Sequence, residues 1–220
     1  MTTAPRIAAK PDAHVFLFRH GQSMANLNEH LIGGRTNESE LTLRGMQQAK
    51  KLGKFIVDTL PQPDRAYSSQ AVRAYNTGAI AMAEAGLVTA PIIDVRLQEL
   101  SQGVWTGQNR AEIYTPETLT EIMHQGKDFK PQGGESMNEV GMRMYYALEA
   151  IADFETAGTQ KIPTIYVFSH GLAIRCLASY IDDWSHKQTY QTEVPNASVS
   201  HMARVNGRWT VNYIGLDTQG

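Results

Sequence analysis

Two histidines in this sequence each follow an apolar run and precede a glycine. His20 follows residues 16–19 (FLFR), and His170 follows residues 167–169 (VFS). A short apolar run that ends at a glycine is typical of a buried strand followed by a sharp turn. We therefore expect two strands that present their imidazoles in the same way, at their carboxyl ends.

Two charged residues occupy comparable positions. Arg73 comes soon after the short strand-like stretch 64–68 (DRAYS), and Glu99 comes soon after the apolar stretch 92–95 (IIDV). If these four strands lie parallel in one sheet, both histidines and both charged residues fall at its carboxyl edge. Open α/β sheets bind their ligands at that edge.

The residue types around His20 suit phosphate better than a metal ion. The positive charge of Arg19 and Arg73 repels a cation, so no metal site is expected, whereas their planar guanidinium groups match phosphate oxygens. His170 adds another donor if it is charged. The same field lowers the pKa of His20 and leaves a free imidazole nitrogen at neutral pH. This cluster predicts nucleophilic attack by His20 on phosphorus.

Such an attack expels an alkoxide, which is a poor leaving group unless an acid protonates it. A carboxylic acid with a raised pKa can donate that proton and then accept one from the water that attacks the phosphohistidine. Glu99 is the candidate. The arginines and imidazoles would neutralise the moving phosphoryl group, so no cofactor is expected.

Composition narrows the class of protein. The chain has 220 residues, a formal net charge of −2 and 42% hydrophobic residues, which suits one α/β domain. Lysines and arginines are scattered, so no nucleic-acid partner is expected, and no apolar stretch is long enough to predict membrane insertion. The single cysteine, Cys176, predicts a reducing, cytoplasmic location without an internal disulfide. The oligomeric state is left open.

Strand-like and helix-like patterns alternate from residue 14 to about 182, which predicts a three-layer α/β/α fold with a mostly parallel central sheet. Residues 1–13 read as a loose N-terminal extension, and residues 14–220 as a single domain. Segments 22–40 and 100–135 do not fit the regular winding and are expected to form a partial lid over the site. The predicted helices span about 42–60, 71–85, 136–154 and 172–181, and two closing strands, 198–203 and 209–214, flank Asn206-Gly207.

The expected buried face of the first of these helices follows from its spacing. Thr42 can cap its amino end. One apolar stripe then follows the helical period: Leu43, Met46, Ala49, Leu52, Phe55 and Ile56.

The chain resembles the histidine phosphatase superfamily, in the branch that contains the cofactor-dependent phosphoglycerate mutases. Six blocks in the family's order carry the resemblance over about residues 14–205: 19–26 (RHGQSMAN), 34–45 (GRTN to LTLRG), 67–74 (YSSQAVRA), 97–99 (LQE), 133–136 (GGES) and 169–171 (SHG). The resemblance implies a phosphoglycerate mutase-like fold and a phosphorylated small-molecule substrate.

The resemblance also implies roles for individual residues. It makes His20 the nucleophile, Glu99 the proton donor and His170 a further catalytic residue. The implied phosphate contacts are Arg19, Asn26, Arg73, His170 and Gly171. The implied substrate contacts are Ser23, Arg35 and Leu172. Gln22, Gln102 and Thr106 depart from the family pattern, which bears on substrate preference and removes no catalytic group.

Within this family the chain is interpreted as a metal-independent phosphomonoesterase of the histidine acid phosphatase type. The alternative is a cofactor-dependent phosphoglycerate mutase, in which the segment after the catalytic glutamate is longer and carries paired arginines. Here Arg110, Lys127 and Lys130 are well separated. A third reading, a protein that only binds phosphorylated ligands, is disfavoured because His20 and Glu99 are both present. The sequence does not name the substrate.

Overall fold

The computed structural model describes residues 11–220, and the expected extension over residues 1–13 therefore lies mostly outside the described residues. Ala13 already belongs to the first strand. The fold is a six-stranded sheet in the order β3-β2-β4-β1-β5-β6. The strands are β1 (Ala13–Arg19), β2 (Arg65–Ser68), β3 (Ile92–Ile93), β4 (Thr164–Ser169), β5 (Val199–Val205) and β6 (Arg208–Leu216).

The sheet is parallel at its centre and antiparallel at one side. Strands β3, β2, β4 and β1 run in the same direction, and Arg19 of β1 is the register partner of Ser169 of β4. The predicted parallel arrangement is thus confirmed. Strands β5 and β6 close the sheet as an antiparallel hairpin, whose turn places both Asn206 and Gly207 at positive φ. Asparagine and glycine tolerate positive φ, which explains why this dipeptide correctly predicted the hairpin turn.

Helices cover both faces of the sheet, as the three-layer prediction requires. One face packs against α2 (Leu43–Thr59) and α3 (Val72–Glu84), the other against α6 (Met137–Thr156) and α7 (Gly171–Asp182). Side chains of β1 alternate between these cores, with Val15 and Leu17 on one side and Phe16 and Phe18 on the other. The remaining α-helices are short: α1 (Met24–Leu27), α4 (Arg110–Ile113), α5 (Pro116–Gln125) and α8 (His186–Gln191).

The buried face predicted for α2 is partly wrong. Ala49, Leu52 and Ile56 are buried as expected, but Leu43 is 80% exposed and Met46 is 41% exposed. The helix instead buries two glycines. A Cβ atom on Gly45 would overlap the carbonyl oxygen of Gln22, and one on Gly53 would lie 2.5 Å from that of Ala81. Close backbone approach at these glycines therefore orients α2 together with its buried apolar side chains.

The strand predicted around 92–95 is shorter than expected. Only Ile92–Ile93 pairs with β2, and the chain then turns into a 3-10 helix over Val95–Leu97. Asp94 caps this turn, since its carboxylate accepts from the backbone N–H of Arg96 at 2.9 Å. The turn brings Glu99 to the carboxyl edge of the sheet. Within residues 11–220, none of the helices has the length and apolarity needed to cross a membrane.

Candidate active site

The carboxyl ends of β1 and β4 bring the two histidines together. His20 directly follows β1, His170 directly follows β4, and their ring centroids lie 5.2 Å apart. Both residues are buried, with 4% and 1% of their surface exposed. Arg73 enters from the first turn of α3, and Glu99 from the loop after the 3-10 turn. The four residues that the sequence placed at one sheet edge therefore meet there.

The hydrogen bonds of His20 fix its tautomer. Its Nε2 lies 3.2 Å from Nε of Arg73, and because a guanidinium only donates, Nε2 must be the acceptor. Its Nδ1 then carries the proton and donates to the carbonyl oxygen of Gly21 at 2.7 Å. The free lone pair of His20 thus sits on Nε2, next to the arginine.

His170 is fixed in the same manner with the opposite tautomer. Nη2 of Arg73 donates to its Nδ1 at 3.2 Å, so Nε2 carries the proton and donates to Oγ of Ser69 at 2.8 Å. The guanidinium of Arg73 thereby links both imidazoles. It also donates to the carbonyl oxygens of Gly34 and Thr36.

Burial and positive charge keep both imidazoles neutral. Burial first, and then the Arg73 and Arg19 guanidinium groups, hold the pKa of His20 well below its ordinary value. Burial, Arg73 and His20 lower the pKa of His170 in the same direction. These lowered pKa values agree with the expectation that the arginines leave a free nitrogen on His20. They do not agree with a charged His170, because Nδ1 of His170 accepts a hydrogen bond from Arg73 and so carries no proton.

Arg19 faces the site with donors to spare. Its Nη1 binds the carbonyl oxygen of Val194 at 2.7 Å, but within residues 11–220 no acceptor pairs with its buried Nε. A buried guanidinium N–H without a partner is costly. The guanidinium group of Arg19 also lines the cavity, where its remaining donors suit an anion. Burial lowers the pKa of Arg19, while the nearby Glu99 carboxylate raises it.

The carboxylate of Glu99 rests on the amino end of α7. Oε1 accepts from the backbone N–H groups of Leu100 at 2.8 Å and Ala173 at 2.9 Å, and Oε2 accepts from that of Leu172 at 3.2 Å. These donors satisfy a charged carboxylate at a helix amino end. The same side chain lines the cavity over His20.

A cavity of about 450 Å³ opens above His20. Its floor is formed by Arg19, His20 and Arg73, and its wall by residues of the 22–36 segment, which lies within the first predicted lid segment. Of the second predicted lid segment, 100–135, only Arg110 lines this cavity. Ser23 and Asn26 belong to the wall, where Asn26 accepts from the backbone N–H of Ser23 at 3.0 Å.

Gly171 and Leu172 lie on the other side of Glu99. They line a second cavity, which shares Arg19 and Glu99 with the first and continues along residues 190–195. A Cβ atom on Gly171 would lie 3.1 Å from Nε of Arg19, so the glycine allows the guanidinium to approach the start of α7. The backbone N–H of Leu172 binds Glu99, as described above.

Arg35 does not line either cavity next to Glu99. Its Nη2 forms an ion pair with Glu135 at 2.6 Å, and its Nε donates to the carbonyl oxygen of Glu99 at 3.0 Å. The expectation that Arg35 reaches into the site is therefore met only indirectly, through the backbone of the glutamate.

Three residues that support the site were missed from the sequence. Oγ of Ser69 accepts the hydrogen bond from Nε2–H of His170, and Oγ1 of Thr77 accepts one from the backbone N–H of Gly21 at 2.9 Å. Asn196 donates to the carbonyl oxygen of His20 at 3.0 Å. Ser69 lies within the 67–74 block, which could have marked it, whereas Asn196 lies in an ordinary loop before β5 and carries no sequence signal.

The sequence profile of the histidine phosphatase superfamily, branch 1, matches residues 15–217. The chain belongs to this superfamily. The match spans nearly the whole chain, including both strand-end histidines, Arg73 and Glu99, and it confirms the resemblance inferred from the six sequence blocks.

Curated relatives of this member carry the name 2,3-bisphosphoglycerate-dependent phosphoglycerate mutase. The one from Methylobacterium radiotolerans is 29% identical over 198 residues, which cover 89% of this chain and 91% of the mutase. The one from Rhizobium rhizogenes is 33% identical over 176 residues, or 78% of this chain and 81% of the mutase. Chain length therefore does not separate this protein from these mutases.

Similar solved structures include YhfR from Bacillus stearothermophilus and two proteins named as phosphatases. Bacillus stearothermophilus YhfR superimposes with a TM-score of 0.78 at 25% identity and covers 94% of this chain and 100% of its own. A phosphoserine phosphatase mutant from Entamoeba histolytica gives 0.76 at 22% identity, covering 94% and 98%. A mycobacterial glucosyl-3-phosphoglycerate phosphatase gives 0.75 at 23% identity, covering 93% and 99%. These likenesses establish the fold, a phosphoglycerate mutase-like α/β sandwich.

Proposed function

We propose that this member of the superfamily is a metal-independent phosphomonoesterase that hydrolyses a small phosphorylated metabolite through a phosphohistidine on His20. The enzyme is of the histidine acid phosphatase type, and its proposed location is the cytoplasm, to which the single, buried Cys176 is suited. The geometry of the two imidazoles and two guanidinium groups supports phosphoryl transfer in general.

The first half-reaction uses the lone pair on Nε2 of His20. The phosphate dianion takes the donors of Arg19 and Arg73, which frees Nε2 from its hydrogen bond to Arg73. Nε2 then forms a bond to phosphorus while the bond between phosphorus and the ester oxygen breaks. The guanidinium groups stabilise the equatorial oxygens in the transition state.

Glu99 handles the protons. The Glu99 carboxylate takes up a proton from solvent as the phosphate dianion binds beside it, because the second negative charge favours its neutral form. The resulting carboxyl group leaves the amino end of α7, protonates the departing alkoxide and so releases an alcohol. In the second half-reaction the resulting carboxylate takes a proton from water, whose oxygen attacks phosphorus as the bond to Nε2 of His20 breaks. Inorganic phosphate leaves, and His20 regains its neutral form.

The distribution of positive charge favours a phosphatase over a mutase. A mutase must hold the carboxylate of phosphoglycerate while it returns the phosphoryl group. Of the three basic residues between Glu99 and Gly133, only Arg110 lines the catalytic cavity. Lys127 pairs with Asp183 at 3.2 Å, and Lys130 pairs with Glu139 at 2.5 Å, both in another groove. That Arg110 is the single lysine or arginine of residues 100–132 at this cavity is the observation that carries the proposal.

The cavity rim also suits hydrolysis. Asn28, Glu29 and Arg110 line the cavity and are exposed, so bulk water reaches the space above His20. Access of water to a phosphoryl group on His20 favours its hydrolysis over its return to an organic substrate.

Phosphorus NMR separates the two activities. With 3-phosphoglycerate and a trace of 2,3-bisphosphoglycerate to prime the enzyme, we expect no 2-phosphoglycerate and, where this compound is a substrate, only inorganic phosphate. Formation of 2-phosphoglycerate faster than phosphate release would establish the mutase instead. A panel of phosphomonoesters under the same conditions would identify the substrate class.

A further inference from the structure

We propose that Arg143, on α6, is a positioning residue that holds the backbone around Glu99 in place for proton transfer. It acts with Glu135 and Arg35, and we call these three residues the brace. The inference rests on the proposed function, since it assumes that Glu99 protonates the leaving group. None of the three residues lines the cavity over His20.

Arg143 holds the chain on the amino side of Glu99. Its Nη1 donates to the carbonyl oxygens of Arg96 and Gln98, the latter at 3.1 Å. Its Nε and Nη2 bind the two carboxylate oxygens of Glu135 at 3.0 Å and 3.1 Å. A bidentate arginine that also spans two backbone carbonyls is a rigid support, which a lysine cannot replace.

Glu135 holds the chain on the carboxyl side of Glu99. Its Oε2 accepts from the backbone N–H of Ser101 at 3.1 Å, and its own N–H donates to the carbonyl oxygen of Ser101 at 2.9 Å. The brace therefore grips the chain at Gln98 and again at Ser101. The backbone of Glu99 is fixed between these two points, and the brace makes no contact with its carboxylate, which binds the amino end of α7.

Arg35 connects the brace to the phosphate-binding residues. It binds Glu135 with Nη2 and the carbonyl oxygen of Glu99 with Nε. The carbonyl groups on both sides of Arg35, those of Gly34 and Thr36, accept hydrogen bonds from Arg73. One short loop thus joins the arginine beside His20 to the backbone of the proposed acid.

The position of Glu99 matters because its carboxyl group must break its hydrogen bonds to the amino end of α7 and then reach the oxygen of the leaving group. The Cα position sets which of these the side chain can reach. A shift of about 1 Å in a reacting group can reduce the rate about 100-fold. The charged side chains of the brace form hydrogen bonds with the backbone at and next to Glu99. Removal of the brace should therefore affect the proton transfer that Glu99 performs.

The test compares two leaving groups. Glycerol 3-phosphate releases a strongly basic alkoxide that needs an acid, whereas 4-nitrophenyl phosphate releases a weakly basic phenolate that does not. We expect Arg143→Gln to lower kcat on glycerol 3-phosphate about 10- to 100-fold, and to lower kcat on 4-nitrophenyl phosphate less than about threefold. KM should change little, since Arg143 does not line the cavity.

Arg204→Gln is the matched control. Arg204 on β5 is also a largely buried arginine paired with two carboxylates, Glu149 and Asp153. It lies beside Ala13 at the amino end of β1, whereas His20 follows the carboxyl end of that strand. Its loss should lower the melting temperature and leave the ratio of the two rates unchanged. If Arg143→Gln does not fold, Arg35→Gln removes the brace from its more exposed side, and the same ratio change is expected.

A double-mutant cycle shows whether Arg143 acts through Glu99. In a Glu99→Gln background, Arg143→Gln should cause no further loss on glycerol 3-phosphate. The inference is overturned if Arg143→Gln lowers both substrates equally, or if its effect adds fully to that of Glu99→Gln. If Glu99→Gln alone fails to separate the two substrates, the proposed acid is wrong and the inference falls with it. The two failures are distinguished by the Glu99→Gln variant alone.

Discussion

Strand β1 carries a histidine near each end, and each has a histidine partner on a neighbouring strand. His20 and His170 have ring centroids 5.2 Å apart, and so do His14 and His201. The first pair meets two arginines and a cavity. The second pair lies where β1 meets β5, and His201 stacks on Phe16 at 4.4 Å. Two imidazoles in contact are therefore not enough to make a reactive site.

The difference lies in what surrounds each pair. Arg73 donates to both rings of the first pair, and His20, whose Nε2 accepts one of these hydrogen bonds, lines the cavity of about 450 Å³. In the second pair, Nδ1 of His14 lies 3.1 Å from Nε2 of His201, whose other nitrogen lies 3.0 Å from the amide of Asn212. Both ring nitrogens of His201 and Nδ1 of His14 are therefore already engaged in hydrogen bonds within the protein. Position at the carboxyl end of a parallel strand and nearby guanidinium groups distinguish the pair that is proposed to be catalytic.

Replacement of one histidine from each pair should give the largest difference in turnover between the two pairs. His20→Ala removes the nucleophile, and turnover of 4-nitrophenyl phosphate should fall by about 10⁵ to 10⁶. His201→Phe should change turnover less than about twofold, because this residue does not line the catalytic cavity. Steady-state kinetics on both folded variants checks this. Comparable losses in both would mean that the site does not depend on the strand-end histidine.

Arg73→Gln removes the feature that distinguishes the two pairs. Loss of one preorganised donor to the transition state should lower kcat/KM by about 10² to 10³. The pKa of His20 should rise, because Arg73 is one cause of its depression, so the acidic limb of the pH profile should move to higher pH. Rate measurements from pH 4 to 9 check both effects. An unchanged acidic limb would show that Arg73 does not act on His20.

The second pair should affect stability rather than turnover. Burial and the neighbouring His14 lower the pKa of His201 to about 4. In the unfolded chain a histidine titrates near pH 6.5. As the pH falls between these values the unfolded state binds a proton that the folded state does not, so the free energy of unfolding decreases. Because His201 is partly exposed, solvent screening limits this loss to about 1 to 2 kcal/mol.

Urea unfolding at pH 7.5 and pH 4.5 measures that contribution. The free energy of unfolding of His201→Phe should fall less than that of the wild type over this range, by the same about 1 to 2 kcal/mol. The buried His20 and His170 titrate in both proteins and cancel in the difference. Equal losses in wild type and variant would show that His201 keeps an ordinary pKa.

Removal of metal ions should have the smallest effect. The proposed transition state is stabilised by Arg19 and Arg73, so turnover should survive exhaustive dialysis against EDTA. Loss of activity after dialysis, with recovery on addition of a divalent cation, would contradict the assignment of charge neutralisation to the arginines. A dialysed sample without chelator is the control.

Much of the fold could be predicted from the sequence because strands and turns here have local causes. The four parallel strands follow from apolar runs, and the closing hairpin follows from Asn206-Gly207. The face of α2 could not be predicted in full, since two glycines allow backbone contact with Gln22 and Ala81. Such contacts depend on distant elements and leave no periodic pattern.

The candidate site was predictable to a similar degree. Strand-end residues His20 and His170 could be located because strand direction determines where they lie. The contacts of Arg35 could not, because its partner Glu135 is 100 residues away and both lie in irregular segments. The charge state of His170 depends on which of its nitrogens faces Arg73, which requires coordinates. Sequence patterns therefore located the reactive groups better than the groups that support them.

The central claim is that His20 carries the phosphoryl group during turnover. Rapid mixing with 4-nitrophenyl phosphate, quenching at alkaline pH and peptide mass spectrometry test it most directly, since phosphohistidine survives base and is lost in acid. We predict an acid-labile phosphoryl group on the peptide that contains His20, and its absence in His20→Ala. A phosphoryl group on Ser23 or Cys176, or one that persists in His20→Ala, would contradict the account.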